Sequence, residues 1–438
     1  MDNKPQLIIR MGSHAEKDYI LKLSKQFEGI IVGANIVEAT AGATASLVGK
    51  RLQPLPYYID PMTYVFGCDL DGIKSEQKIK GTKKTVKVYR RAYKRLASEL
   101  GDIFSNTLKI NIPIIPENFT STASKQVCQK VVDYQLKRLR KELEKDDEYK
   151  KYAESIQPPK GVFSPYFFIR SNDWFNLFLS LSKTTADIKP GPPVYSVLCA
   201  DYEMLIDTSF INKAVAEIPK TGVNGVWLWF SNFDEWIVQE EYLRAFKNLV
   251  EQLNEKGLEV YNRHGGYFSL ALNKFGMKGI SHGVGYGEKK DVLQIKGPPN
   301  APVVHYYLPD IYKKLNTIEI ERCFEDLNIT TPKDFYKKIC DCVICKGVVK
   351  NSILDFQRFG DVHYATSESK RESQTPAAAK RCRFHFLVNR IIEKDFIAGN
   401  DLATIIQKTS DAQEKWKEQF PIINNSKHLA RWKAVLSS

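Results

Sequence analysis

Gly225-Val226-Trp227-Leu228-Trp229-Phe230 is the stretch on which the fold turns, because of what flanks it. Before it, Phe210–Ile218 carries apolar residues at 210, 211, 214, 215 and 218, the spacing of one helical face. After it, Gln239–Lys256 repeats that helical spacing and Leu258–Tyr261 repeats the short apolar run. Runs of this length, rich in Val, Trp and Phe, read as buried strands. Strand and helix in alternation predict parallel βα units.

The same alternation extends outward in both directions. Further β-rich runs are Leu7–Arg10, Gly29–Val32, Pro56–Ile59, Tyr166–Ile169, Val194–Cys199 and Gly279–His282, and Ala15–Phe27 is another helical stretch. With Gly225–Phe230 and Leu258–Tyr261 they make the set that closes a (β/α)8 TIM barrel, so the fold class is α/β. Two regions interrupt the pattern. Residues 70–155 form a basic helical insertion, with Lys83, Lys84, Lys87, Arg90, Arg91, Lys94 and Arg95 and a long helical segment over Ser124–Tyr152. Its charges read equally as a solvated helix face or as a nucleic-acid surface. From Asn316 onward a second segment carries clustered cysteines, a polar stretch Ser367–Thr375, a helical pattern over Pro376–Ile397 and a basic tail. The expected division is a catalytic barrel over 1–315 and a zinc-binding, helical C-terminal subdomain over 316–438.

The chain has 438 residues, 43% of them apolar, which is ample for a barrel core. No run approaches the roughly 20 apolar residues of a membrane helix, and Met1–Arg10 lacks an apolar leader core. A soluble, cytoplasmic protein with no membrane partner is expected. The balance of 64 basic against 51 acidic residues, net +13, favours phosphate-bearing partners without proving one.

Among eight cysteines, three are clustered as Cys340-Asp341-Cys342-Val343-Ile344-Cys345. A tight turn aims all three sulfurs inward, and one downstream imidazole completes a tetrahedral structural Zn2+ site. His385, opening the apolar run Phe384–Ile397, is the expected fourth ligand, with His363 the alternative. The other five cysteines are scattered and read as core thiols.

In a TIM barrel, residues just past the strands' C-terminal ends share one mouth, where such enzymes keep their catalytic groups. That places Asp60, within Tyr57-Tyr58-Ile59-Asp60-Pro61-Met62-Thr63, Asp201 and Glu203, and Asp234 and Glu235 there. It does the same for Arg263, His264, Gly265 and Gly266, and for Ser281 and His282, with Glu288 beyond. The glycines suit either a simple turn or close approach of a ligand.

Cys340-x-Cys342-x-x-Cys345 followed by a helix-borne His resembles the zinc motif of the tRNA-guanine transglycosylase family, in which it also follows the last barrel strand. The gap to His385 is longer here, and His385-Phe386-Leu387 stands for the family's His-Asn-Leu. Asp60 stands where that family has its first catalytic Asp, although Pro61-Met62-Thr63 replaces Ser-Gly-Gly. The family's second catalytic Asp and its Pro-Thr-Arg motif have no counterpart in Gly279–Glu288. With the basic insertion, these departures make the chain similar to the DNA-acting 7-deazaguanine transglycosylases of phage and bacterial modification systems. The resemblance implies exchange of guanine in DNA, less readily in tRNA, for a 7-deazaguanine base of the preQ0 kind, with accessory modification proteins as possible partners. It implies a carboxylate-assisted double displacement with Asp60 as nucleophile or base and Asp234 or Asp201 assisting. Ser171, Asn172 and Asp173 are then expected at the purine edge, and Phe66 and Trp174 as stacking partners for a flipped base. His264, Gly265, Gly266 and His282 complete the expected substrate-binding set. The rivals are a tRNA-guanine transglycosylase and a non-catalytic, zinc-stabilised nucleic-acid-binding barrel.

Overall fold

Runs buried on both faces need helices on one side and a packed interior on the other, and that is what these strands find. The computed structural model describes residues 4–81, 84–285, 287–295, 303–364, 372–417 and 426–438. Lys83 and residues 367–371 of the polar stretch lie outside them. The barrel strands are β1 Gln6–Met11, β2 Gly29–Gly33, β3 Tyr57–Asp60, β4 Val162–Phe163, β5 Val194–Asp201, β6 Gly225–Ser231, β7 Glu259–Asn262 and β8 Met277–Gly283. Every ladder among them is parallel, and β1 lies between β2 and β8, so that the eight strands curl into a TIM barrel. Around it run α1 Lys17–Leu23, α2 Ser121–Leu143, α3 Asn172–Ile188, α4 Thr208–Glu217 and α5 Glu240–Glu255. No helix among the described residues is long and apolar enough to cross a membrane.

One strand differs from expectation. The fourth strand is Val162–Phe163, and Tyr166–Ile169 is not a strand. Pro165 has no N–H for a ladder, so the chain leaves the sheet there and touches it again only where Ile169 bridges Ala200. The barrel is closed between β3 and β4 by a few bonds instead of a full ladder. Lys160 N donates to Tyr57 O at 2.8 Å, Tyr166 N donates to the Thr63 hydroxyl at 2.8 Å, and that hydroxyl donates to Tyr166 O at 2.7 Å.

The interior is aromatic. Trp227 stacks on Tyr261, with ring centroids 4.6 Å apart, and Tyr58, Phe163 and Tyr195 pack edge-on or tilted around that pair. Side chains two apart on a strand share a face, so the layer above this one holds Asp60, Trp229 and Arg263.

The basic segment between β3 and β4 splits in two. Lys74–Lys78 and Thr85–Tyr89 form a hairpin, whose Lys87 is 2.5 Å from Asp71. The helical segment is two helices, α2 and Asp147–Ser155, with Asp146 capping the second. α2 belongs to the barrel wall. Gln135 bonds both the N–H and the C=O of Phe163, each at 2.8 Å, and Arg138 grips Glu38 with both nitrogens. Its outer face is laced by the pairs Lys137–Asp133, Arg140–Glu144 and Lys145–Glu142, the pattern of a solvated helix.

The C-terminal segment starts with a hairpin, Tyr306–Leu308 against Lys313–Leu315. It continues through short helices to α6 Pro376–Gly399, α7 Leu402–Trp416 and α8 His428–Leu436. It folds back on the barrel: Lys394 meets Glu28 at 2.7 Å, and Trp432 Nε1 donates to Glu235 O at 2.8 Å.

Candidate active site and metal centre

Asp60 ends β3 and turns inward because Tyr58, two residues earlier, does. Pro61 stops the strand and turns the chain, so that the N–H of Met62, itself left-handed (φ 52°), reaches back to Asp60 Oδ1 at 3.0 Å. Tyr166 OH donates to the same oxygen at 2.7 Å, and Arg263 Nη2 donates to Oδ2. A cleft of about 160 Å³ opens beside this carboxylate, and among its walls are Arg10, Tyr64, Trp229, Arg263, His264 and Lys290.

Three cations face one carboxylate here. Arg10, two residues past Ile8 on β1, gives Nη2 to the carbonyl of Gly287 at 2.7 Å. Lys290 donates to the Tyr64 hydroxyl at 3.0 Å and lies 5.2 Å from the Trp229 ring centre. Burial and then neighbouring Arg263 bring the Arg10 guanidinium down to about 9. Burial and then Arg10 bring the Lys290 ammonium down to about 8. Burial, with Arg10 and Lys290 adding, holds His264 well below the usual imidazole range, so it is neutral at pH 7. Its Nδ1 sits 3.1 Å from the Gly287 carbonyl, which can only accept. Nδ1 therefore carries the proton, and Nε2 is an acceptor with no partner among the described residues.

Other expected site residues sit elsewhere. Asp234 is buried on the loop after β6, where it takes Trp236 N at 3.0 Å and Lys289 Nζ at 2.5 Å. Asp201 caps the turn after β5 by accepting from Glu203 N. Neither lines the cleft. Ser171, Asn172 and Asp173 are exposed at the start of α3. Phe66 is packed against Phe104 and Trp174 against Phe167, so the rings that do border the cleft are Tyr64 and Trp229. Gly265 and Gly266 are small because protein crowds them: a Cβ would lie 2.8 Å from Ile280 at the first and 2.7 Å from the Glu235 carboxylate at the second. That carboxylate accepts from Gly266 N, Phe268 N and the Ser269 hydroxyl, and burial raises it to about 7. His282 is wholly buried, gives Nδ1 to Gly283 O and packs on Phe386, away from the cleft. Arg10 and Lys290 were missed by sequence reasoning. Arg10 does close a strand, but one Lys in a Lys-rich loop carries no signal.

The second site is built on a turn. Cys340 and Cys342 precede the short helix Val343–Val348, and Cys342 Sγ caps it by accepting from Cys345 N. His385, on the first half of α6, puts Nδ1 3.3 Å from Cys342 Sγ and 3.4 Å from Cys345 Sγ. The ligand atoms of Cys340, Cys342, Cys345 and His385 all lie within 4.8 Å of one another, and all four residues are buried. His363 is exposed on the strand Val362–Tyr364 and takes no part. His385 Nε2 is 2.6 Å from the Tyr307 carbonyl, the outer hydrogen bond that orients a metal-ligating imidazole and leaves Nδ1 free to ligate. Tyr306 stacks on the imidazole at 4.1 Å, and its hydroxyl meets Cys345 Sγ at 3.2 Å. Hydrogen bonds from the Cys340 and Cys345 thiols make Cys342 the first to ionise. Three sulfurs and one directed nitrogen, shielded from water, can hold one metal ion.

No protein-family model and no curated protein matches the chain. Its function has to be argued from these two sites.

Proposed function

We propose that this chain exchanges a base in nucleic acid: a guanine transglycosylase that acts on DNA and installs a 7-deazaguanine. One observation carries the proposal. A buried carboxylate at the C-terminal end of β3 and a Cys3His set behind the last strand occur together on one barrel, the two residue sets that underlie the resemblance to the tRNA-guanine transglycosylases.

In this reading the Cys3His set holds Zn2+, which crosslinks the C-terminal segment and takes no part in exchange. Asp60 is the nucleophile. Arg263, Tyr166 and Met62 N hold its two oxygens in place, so that one of them can meet the anomeric carbon. Departure of guanine then leaves a glycosyl ester on Asp60, and attack by the incoming base restores the configuration. Guanine leaves with the electron pair of the broken glycosidic bond, and His264, neutral with Nε2 open, takes the N–H proton of the incoming base and hands it to that guanine, which closes the proton balance. Trp229 and Tyr64, in edge contact, together form one wall beside the flipped base. A second reading, a barrel that binds nucleic acid without catalysis, is favoured by one fact: Asp60 is the only carboxylate among the described residues of the cleft wall.

Incorporation of radiolabelled guanine into DNA and, separately, into tRNA tests the proposal. DNA should label and tRNA should not. Asp60→Asn should lower exchange by at least about 100-fold, the loss expected for a missing acid–base or nucleophilic group. Asp60 is also the counter-charge of buried Arg263, so His264→Gln, which leaves that pair intact, should be run beside it and should also slow exchange. Labelling of neither polymer by the wild-type protein would overturn the proposal in favour of the binding protein.

A further inference from the structure

Buried charges persist in folded proteins when something neutralises them. The barrel mouth has three cations and one anion, and the neighbouring carboxylates do not make up the difference. Glu16 acts on Arg10 through space while its carboxylate accepts Gly12 N at 2.7 Å, Asp234 is paired with Lys289, and Glu288 is paired with Lys314 and Arg390, so the cations of the mouth still outnumber its anions. Asp60 serves Arg263. Arg10 and Lys290 are left with neutral acceptors only, a backbone carbonyl and a phenol. Hydrogen-bonding capacity is left over as well: Arg10 Nε and Arg263 Nη1 are buried with no partner among the described residues. Orphaned guanidinium donors are rare and costly inside a protein. Here two of them, and a lysine, border the same cleft.

We propose that the barrel mouth binds one oxyanion of the substrate, held jointly by Arg10, Arg263 and Lys290. A phosphate or carboxylate supplies the missing negative charge, and its oxygens match the planar fork of a guanidinium. Tyr64 and Trp229, in edge contact with each other, stand together on one side of the Lys290 ammonium, at 5.6 and 5.2 Å, so the oxyanion is carried on a group with a flat apolar neighbour. Two sources share this chemistry: the phosphodiester beside the target base, and an acidic substituent on the incoming base. Assigning the oxyanion to either source rests on the exchange reading; the oxyanion site itself does not.

Binding to the full-length, metal-bearing protein, followed by calorimetry and by tryptophan fluorescence, tests this without any turnover. Two pairs of probes are compared: 2′-deoxyguanosine 5′-monophosphate with 2′-deoxyguanosine, and indole-3-carboxylate with indole. In at least one pair the charged member should bind roughly tenfold more tightly or better, as expected for a charge-assisted contact. Lys290→Gln should abolish that preference and Lys290→Arg should keep it. Preference in the nucleotide pair points to the phosphodiester, and preference in the indole pair to the incoming base. The proposal fails if neither pair shows a preference, or if the preference survives in both Lys290→Gln and Arg10→Gln. A clear preference in a protein that exchanges no base would sink the proposed function and leave the oxyanion site standing. Exchange without preference would do the reverse.

Discussion

Two clusters of buried charge face different ways in this molecule. At the junction between the barrel and the C-terminal segment, Glu288 and Glu393 meet Arg390 and Lys314, two carboxylates for two cations. Arg390 Nη2 reaches Glu288 at 2.5 Å, Arg390 Nη1 lies 2.8 Å from Glu393, and Tyr307 OH donates to Glu393 at 2.8 Å. At the barrel mouth Arg10, Arg263 and Lys290 share Asp60 alone. The mouth cluster is built from strand-end and loop residues and the junction cluster from a loop, a hairpin strand and α6, and each mixes buried with half-buried groups, so burial does not separate them. Charge balance does. A balanced cluster has nothing left to give a ligand and works as a fastener; an unbalanced one keeps its field and its donors in reserve.

The hardest blow to the junction is loss of its neighbouring Cys3His set. Cys342→Ser should remove about one equivalent of metal per chain, by elemental analysis, and most of the folded yield, because metal affinity at such a site is folding free energy. Full metal occupancy in that variant would refute the ligand assignment. Next in size is a pair of substitutions with opposite outcomes. Arg390→Met leaves buried Glu393 without its cation, while Glu288 keeps Lys314, and should cost about 3–5 kcal/mol in denaturant unfolding. Lys290→Gln removes one of three mutually repelling cations and should leave stability unchanged or slightly raised, a trade of function against stability. Equal losses in both variants would erase the distinction between the clusters.

The smallest effect is in pH dependence, and its sign differs between the two regions. Burial raises Glu393 and Glu235 to about 7 from an ordinary value of 4.5, so between these values the folded state holds more protons than the unfolded one. Their contribution is full below about 4.5 and is lost as pH rises through 7. Lys290 is lowered to about 8 from 10.5, so there the folded state holds fewer protons. Its share of stability is deficient below about 8 and recovers as pH rises toward 10.5. Unfolding free energies measured from pH 4.5 to 10.5 on wild type and Lys290→Gln should show a larger alkaline recovery in wild type, the remainder in the variant coming from Arg10, which burial lowers to about 9.

Much of this was legible in the chain itself. β5 and β6 are long and apolar, and the two-residue period of a strand carries the eye from Trp227 to Trp229 on β6 and from Tyr58 to Asp60 on β3. Three thiols within six positions converge wherever the turn lies, so the Cys3His set was legible too, and His385 was preferred to His363 for its place on a helix. The fourth strand was not, because two residues carry no period and the more apolar Tyr166–Ile169 lies just beyond it. Nor was the wall of the cleft. Phe66 and Trp174 look like free aromatics until Phe104 and Phe167 arrive from elsewhere to cover them. The value of Arg10 depends on Gly287 and Arg263, hundreds of residues away in sequence, and no local pattern records that.

The pairing of β1 with β8 has a consequence for how the protein is made. Residues 6–10 lie against residues 279–283, so one edge of the first strand has no partner until nearly the last of the barrel has left the ribosome. At about 5–20 residues per second that wait is on the order of tens of seconds. Throughout it the nascent chain presents Leu7, Ile8 and Ile9, all wholly buried in the finished barrel, along an open edge of the kind that recruits other chains. A chaperone that occupies this edge should therefore raise the yield of folded protein more than any change made at the surface.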